Sequence, residues 1–249
     1  MDITKRDSKM LRGVAILAML MLHLFCRRDN LPYTPLLWIG DTPLIYYFGL
    51  FGDICVAIYC FVSGYAHYMQ SSKTELRHRW KRLLRFLIPF WVIAAVFSLI
   101  GILTGDSVIP GSVKEFLLNC LTIKNSYNGA WWYMSVYAVI VFISPIVLKA
   151  TEKMNSIAVL MITFAIYCGG YLLRFKYGTP YEAINWFGPF GTTFFEYMIG
   201  VVCCKERFFE KLERAATKVK PIWRCVISAA VFVAMLLGHT LVIRSLVIA

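Results

Sequence analysis

Arg12 and His23 are the two residues of the first apolar stretch whose side chains could take part in chemistry. They bracket Gly13–Leu22, in which no side chain is polar. Eleven residues of α-helix make three turns plus about 20°, so both side chains project from nearly the same face, roughly 16 Å apart. Imidazole titrates near neutral pH and can act as a general base or a nucleophile, and burying either side chain without a partner costs several kcal/mol. The alternative is structural: Arg12 anchors the helix at the membrane surface and His23 hydrogen-bonds a neighbouring helix.

A second basic motif lies ahead of a later apolar segment. Arg79, Arg82 and Arg85 recur every three residues and precede Pro89. On a helix they form one slanted strip, and guanidinium groups suit phosphate oxygens. The same run is also typical of the positive charge that fixes the cytoplasmic side of a membrane helix. Both interpretations stay open on the residues alone.

Two polar residues lie inside apolar segments. Ser63 precedes Gly64, and such small residues let helices approach closely. Ser63 is not in a Gly-x-Ser-x-Gly elbow and is therefore not predicted to be a nucleophile. An uncompensated carboxylate in lipid is costly, so we expect Glu196 to pair with an Arg or His or to stay protonated.

Two further candidates stand at the predicted outer ends of segments. Asp53 is explained either by exposure at the interface or by a role near an acceptor. Tyr133 follows two tryptophans, and this run is typical of an aromatic belt, with a site-lining role as the alternative. His67, His78 and His239 are assigned no role.

Composition predicts the fold class. The chain has 249 residues, of which 59% are hydrophobic and 16% charged, whereas soluble domains are about half apolar and a quarter charged. The apolar residues form blocks of roughly twenty, long enough to cross a bilayer. We therefore predict an all-α, polytopic transmembrane helical bundle, with residues 1–249 forming a single domain. The seven predicted spans are 10–26, 46–69, 84–104, 131–149, 155–173, 187–204 and 222–243.

The distribution of charge predicts topology and partners. The net charge is +12, but the basic residues cluster in alternate connections between apolar blocks. This is the positive-inside pattern, which places the N-terminus in the cytoplasm and the bilayer, not nucleic acid, as the partner. Lys114–Thr122 is predicted to be a short interfacial helix, and Lys205–Arg214 an amphipathic helix on the inner surface.

The eight cysteines do not suggest a metal site. They are scattered, without a Cys-x-x-Cys motif or a Cys/His cluster at metal-ligand spacing. We expect them to be small packing residues and expect no metal.

The Arg12–His23 spacing, followed by a second apolar segment that ends in Ser63-Gly64-Tyr65, resembles the integral-membrane acyltransferase 3 family. That resemblance implies transfer of an acyl group, usually acetyl, from coenzyme A to a hydroxyl of a cell-surface sugar or polymer. It implies that His23 is the catalytic base or acyl carrier and that Arg12 orients the donor or the site. It matches Arg82 and Arg85 to an arginine pair expected to bind coenzyme A, with Arg79 beside them.

The sequence also departs from the family pattern. Cys55 stands where glycine is usual, and Tyr59-Cys60 replaces a pair of phenylalanines. The family normally has more spanning helices than the seven predicted here, so the chain resembles its first two-thirds and is expected to be shortened at the C-terminus. A membrane transporter of a small solute or lipid, or an inactive acyltransferase fragment, is the alternative function.

Overall fold

The computed structural model describes residues 2–27, 31, 33–70, 76–175 and 182–247, and most of these residues are helical. Ten α-helices lie in those ranges, with a short 3₁₀ turn at Gly129–Trp131. This confirms the predicted all-α class. The helices are α1 (Lys5–Phe25), α2 (Leu44–Phe51), α3 (Ile54–Met69), α4 (Leu76–Thr104), α5 (Val113–Cys120), α6 (Trp132–Lys153), α7 (Ser156–Phe175), α8 (Glu182–Lys205), α9 (Phe208–Thr217) and α10 (Pro221–Val247).

Six stretches of the described chain are long and apolar enough to cross a membrane, which confirms a polytopic protein. The seventh predicted segment falls in α10, whose described apolar part, Pro221–Met235, is shorter than a span. The six are Lys5–Phe25, Leu44–Met69, Leu83–Thr104, Gly129–Lys153, Ser156–Leu173 and Trp186–Lys205.

The first helix begins earlier than its apolar run. The side chain of Thr4 accepts a hydrogen bond from the Asp7 N–H, and the Asp7 carboxylate accepts one from the Thr4 N–H at 2.9 Å. This reciprocal capping satisfies N–H groups that the first turn of a helix leaves without partners. Lys5, Arg6 and Lys9, which precede the predicted span 10–26, therefore lie within α1.

The second predicted span is broken at Gly52 and Asp53 into α2 and α3. Turn hydrogen bonds carry the chain through the break, among them Asp53 N–H to Leu50 O at 3.2 Å. Ahead of α2, strands β1 (Trp38–Ile39) and β2 (Thr42–Pro43) form a small antiparallel hairpin. Gly40 occupies its turn with a φ of 59°, which glycine adopts at little cost.

Two compact units divide the chain. The first contains residues 1–65 and 202–249, and the second contains residues 66–201. In the first, α1 packs on α2. In the second, the core includes fully buried Val136 and Ile140 of α6 and Tyr197 and Met198 of α8.

Both predicted surface helices are present. Ser112 caps α5, and Val113 and Leu117 on that helix are exposed apolar residues. In α9, Phe209 packs edge-on against Phe61 with ring centroids 6.2 Å apart. One edge of α9 is thus held against α3, as expected for an amphipathic helix.

Candidate functional site

Arg12 and His23 both lie on α1, on a face that is exposed. Their spacing on a continuous helix keeps them within about 20° of each other around the axis. The guanidinium of Arg12 is close enough to the Tyr59 hydroxyl of α3 to interact with it electrostatically. Among the described residues, none forms a hydrogen bond with the His23 imidazole. The ring is therefore accessible within its unit.

Arg12 and His23 lie at different distances from the ends of α1. Thr4 and Asp7 start the helix at Lys5, so Arg12 is seven residues inside it, whereas His23 lies two residues before the helix ends at Phe25. The cation is therefore farther from its end of the helix than the imidazole is from the other end.

Close backbone contact with α2 fixes the position of α1. A Cβ at Gly52 would lie 2.3 Å from the Ala18 carbonyl oxygen, and one at Gly49 would lie 2.7 Å from the Cys26 amide nitrogen. Only glycine permits this approach. At 100° per residue, Ala18, which Gly52 approaches, lies about 120° from Arg12 and about 140° from His23 around the axis. The glycines therefore turn the Arg12–His23 face away from α2.

Asp53 and Ser63 belong to the same unit as Arg12 and His23. Asp53 is exposed in the break between α2 and α3, and Ser63 is half-buried on α3. Tyr65, two residues after Ser63, is buried; its hydroxyl accepts from the Ile3 N–H at 3.3 Å and donates to Asp2 at 3.3 Å. The end of the Ser63-Gly64-Tyr65 motif therefore fastens the start of the chain to α3.

The basic strip lies in the second unit. Arg79, Arg82 and Arg85 are all in α4, which continues as one helix through Pro89. The Arg85 side chain is exposed. The side chains of Arg79 and Arg82 lie outside the described residues. The strip is therefore inferred from the three-residue spacing of the arginines along α4.

Tyr133 is half-buried in a series of aromatic rings on α6 and α4. Its ring centroid lies 5.7 Å from that of Tyr137, and the Tyr137 centroid lies 4.7 Å from that of Phe86. Phe90 and Trp131 form a second pair at 4.8 Å. The rings thus pack between α4 and α6. An aromatic belt that only faces lipid would not need such contacts between helices.

The connection ahead of Tyr133 is held by a polar cluster on α5. The Glu115 carboxylate accepts from the Ser126 hydroxyl at 2.6 Å and forms an ion pair with Lys124 at 3.2 Å. These two contacts lower the pKa of Glu115 below its usual value, the hydrogen bond with Ser126 being the larger cause. Asn119 is fully buried and donates to the Ser126 hydroxyl at 2.8 Å. The segment after α5 is therefore folded back onto that helix.

Glu196 lies on α8 in the second unit, with its Oε2 atom shielded from solvent. The next residue, Tyr197, is fully buried, and its hydroxyl lies 2.9 Å from Nδ1 of His67, which is also buried. The sequence analysis gave His67 no role and did not single out Tyr197. The available signal was that His67 is an ionisable residue inside an apolar segment. Its partner Tyr197 is 130 residues away, so the local sequence does not reveal the pair.

The structure thus places Arg12, His23, Asp53 and Ser63 in one unit. Tyr133, Glu196 and the three arginines of the strip lie in the other. Among the described residues, no three His, Cys, Asp or Glu side chains are close enough to share a metal ion.

Comparison with known proteins identifies the family. A family model described as an acyltransferase domain matches residues 7–248, nearly the whole chain. No curated protein and no solved structure matches this chain. With its six apolar spans and with a family match that includes both Arg12 and His23, the chain belongs to the acyltransferase 3 family of membrane acyltransferases.

Proposed function

We propose that this protein transfers an acyl group, acetyl in the first instance, from coenzyme A to a hydroxyl of a cell-surface or exported carbohydrate. The observation that carries the proposal is the pairing of Arg12 and His23 on one exposed face of α1, inside the residues that the family model matches. We place the protein in the cell membrane as a multi-pass protein with a cytoplasmic N-terminus, because the basic connections alternate.

His23 supplies the base for this reaction. Its imidazole takes the proton of the acceptor hydroxyl as the oxygen attacks the thioester carbonyl. The new C–O bond forms, the C–S bond breaks, and the coenzyme A thiolate takes up a proton. A route through an acyl-imidazole gives the same products, with the acyl group held briefly on His23.

The donor is held by cations. Arg12 orients the donor along the α1 face, while Arg82 and Arg85, with Arg79 beside them, bind the phosphates of acetyl-CoA. Arginine is suited to this because its planar fork meets phosphate oxygens with two parallel hydrogen bonds. Lipid bilayer, acyl-CoA and a sugar acceptor are the partners in this scheme.

The remaining candidates are proposed to line the functional residues of their own units. Ser63 and Asp53 share a unit with His23, and Tyr133 and Glu196 share one with the basic strip. None of the four is assigned a proton-transfer role.

Transfer of labelled acetyl from acetyl-CoA to a surface polysaccharide, assayed in membranes, tests the proposal. His23→Ala should abolish labelling while membrane insertion is retained, because the side chain is exposed and fills no packed core. The control is Leu17→Ala, which removes another exposed α1 side chain (63% exposed) about 120° from His23. Undiminished labelling in His23→Ala would overturn the proposal.

Donor binding is tested separately by calorimetric titration with acetyl-CoA. Arg82→Ala combined with Arg85→Ala should weaken binding at least tenfold, since two charge-assisted contacts are lost. The control is Lys153→Ala, which removes an exposed cation at the end of α6, on a different helix from the strip. Equal weakening by the control would show that general positive charge, not the strip, draws the donor.

A further inference from the structure

A cavity of about 820 Å³ lies within the first unit, apart from every residue assigned above. Apolar side chains of α1, α3, α9 and α10 line most of it, among them Leu11, Ile58, Phe61 and Leu212. Its volume is in the range of small-molecule sites, about 300–1,000 Å³. Four helices line an open space that is large enough for a ligand.

One end of the cavity is acidic. Asp2, Asp7 and Glu213 are the charged residues of the lining. Asp2 accepts a hydrogen bond from Tyr65, and the Tyr65 ring packs on Phe209 of α9 with centroids 5.9 Å apart. The start of the chain therefore lies near α9, the helix of Glu213, and all three carboxylates line the same cavity. They stand out in a chain whose net charge is +12.

The length of the cavity is about two-thirds of one leaflet of a bilayer. On α1 its lining extends from Asp7 to Val14, seven residues or roughly 10 Å of helix. The hydrocarbon core of a bilayer is about 30 Å thick, so this length is about a third of it. A single hydrocarbon chain fits an apolar space of this length, and a carboxylate-lined end favours a cationic head group over an anionic one.

We propose that this cavity binds one hydrocarbon chain of a membrane lipid whose head group carries a primary ammonium, as in an ethanolamine phospholipid. The ammonium lies at the end formed by Asp2, Asp7 and Glu213, and the chain extends along α1 towards Val14. The lining face of α1 is roughly opposite Arg12, so this site is separate from the proposed acyl-transfer site. Because the lipid contacts α1, α3, α9 and α10 together, its binding stabilises their packing.

Thermal unfolding of the delipidated protein in detergent tests the proposal. Ethanolamine, choline and glycerol phospholipids with identical chains are added in turn. We expect the ethanolamine lipid to raise Tm by about 5 °C at a hundredfold excess over Kd, and the other two to raise it less. Equal shifts with all three lipids would overturn the head-group assignment.

Two kinds of variant separate the parts of the site. Glu213→Gln with Asp2→Asn should abolish the preference for ethanolamine but keep chain binding; Asp7 is left in place because it caps α1. Ala57→Phe places a ring in the cavity and should remove the lipid-dependent shift altogether. If that variant is unstable without lipid, native mass spectrometry of Ala216→Leu should show fewer bound lipids than wild type.

A second copy of the chain or another helix could occupy the same cavity. In that case Tm would rise with protein concentration in the absence of lipid, and Ala57→Phe would abolish that rise. This result, or an undiminished lipid shift in Ala57→Phe, would overturn the proposal. None of these measurements depends on acyl transfer.

Discussion

The Tyr197 hydroxyl lies 2.9 Å from Nδ1 of His67, and both side chains are buried in the second unit. The pair joins the end of α3 to α8 across 130 residues of sequence. Their rings also meet edge-on, with centroids 5.6 Å apart. A buried polar pair of this kind is stable only while both partners are present, because each group alone would be desolvated without that compensation.

Tyr197→Phe should lower the free energy of unfolding by about 1–3 kcal/mol, since the buried imidazole loses this partner. For a chain of this length, that corresponds to a Tm lower by roughly 2–10 °C. Thermal unfolding in detergent measures the effect.

A double-mutant cycle provides the control for the His67–Tyr197 pair. His67→Leu combined with Tyr197→Phe should cost less than the two single substitutions together, because replacing both polar partners by apolar groups can be nearly neutral. Strictly additive effects would show that the two side chains do not stabilise each other.

Gly52→Ala should destabilise the protein by about 1–3 kcal/mol, since the new methyl would lie 2.3 Å from the Ala18 carbonyl oxygen of α1. Backbone atoms cannot rotate away, so α1 must shift, and Arg12 and His23 shift with it. We expect acyl transfer to fall together with Tm, and both are measured on the same membrane preparation.

Gly13→Ala is the matched control on α1. No atom lies within 4 Å of a Cβ at Gly13, which is in the helix interior. There alanine should stabilise by about 0.5–1 kcal/mol through the lower conformational entropy of the unfolded chain. Similar losses in both variants would contradict the packing argument.

The sequence predicted the helices better than the contacts between them. Apolar blocks placed six of the seven spans within about five residues, and Lys114–Thr122 correctly marked a short helix, Val113–Cys120. The Thr4–Asp7 cap was also readable, as a hydroxyl residue followed three positions later by a carboxylate. That signal gives the earlier start of α1.

The contacts could not be predicted because they depend on distant segments. The break at Gly52 coincides with the approach of Ala18 and Leu22. Gly52 and Asp53 have low helix propensity, but that local signal does not reveal α1 as the neighbour. His67 and Tyr197 each look like ordinary residues of apolar helices. The spacing of Arg12 and His23 predicted their shared face, but the distance of each residue from the ends of α1 depends on where the helix begins and ends.

Gly170→Ala should destabilise the second unit by about 1–3 kcal/mol. In the structure α7 and α8 touch through their backbones: a Cβ at Gly170 would lie 2.9 Å from the Gly188 carbonyl oxygen and 3.0 Å from the Gly191 Cα. Small residues are what allow membrane helices to approach this closely. Unfolding of the purified protein by heat measures the change.

The adjacent glycine tests that interpretation. A Cβ at Gly169 meets nothing within 4 Å, so Gly169→Ala should stabilise the helix by about 0.5–1 kcal/mol. If the two substitutions change the free energy of unfolding in opposite directions, the difference comes from packing, because helix propensity alone would stabilise at both positions. Stabilisation by both substitutions would therefore rule out a tight contact at Gly170.

Acidification should loosen the segment after α5 through Glu115. Contacts with Ser126 and Lys124 hold the pKa of this carboxyl below its usual value. As the pH falls, the folded state therefore binds fewer protons than the unfolded state. The stabilisation is complete above the unfolded pKa of about 4.3 and is lost as the pH falls through the folded value. Hydrogen exchange of residues 121–128 should therefore accelerate below about pH 4, after correction for the intrinsic exchange rate. Glu115→Gln should remove this pH dependence. The control, Glu210→Gln on α9, should leave the pH dependence intact. If the pH dependence persists in Glu115→Gln, another titrating group is its cause.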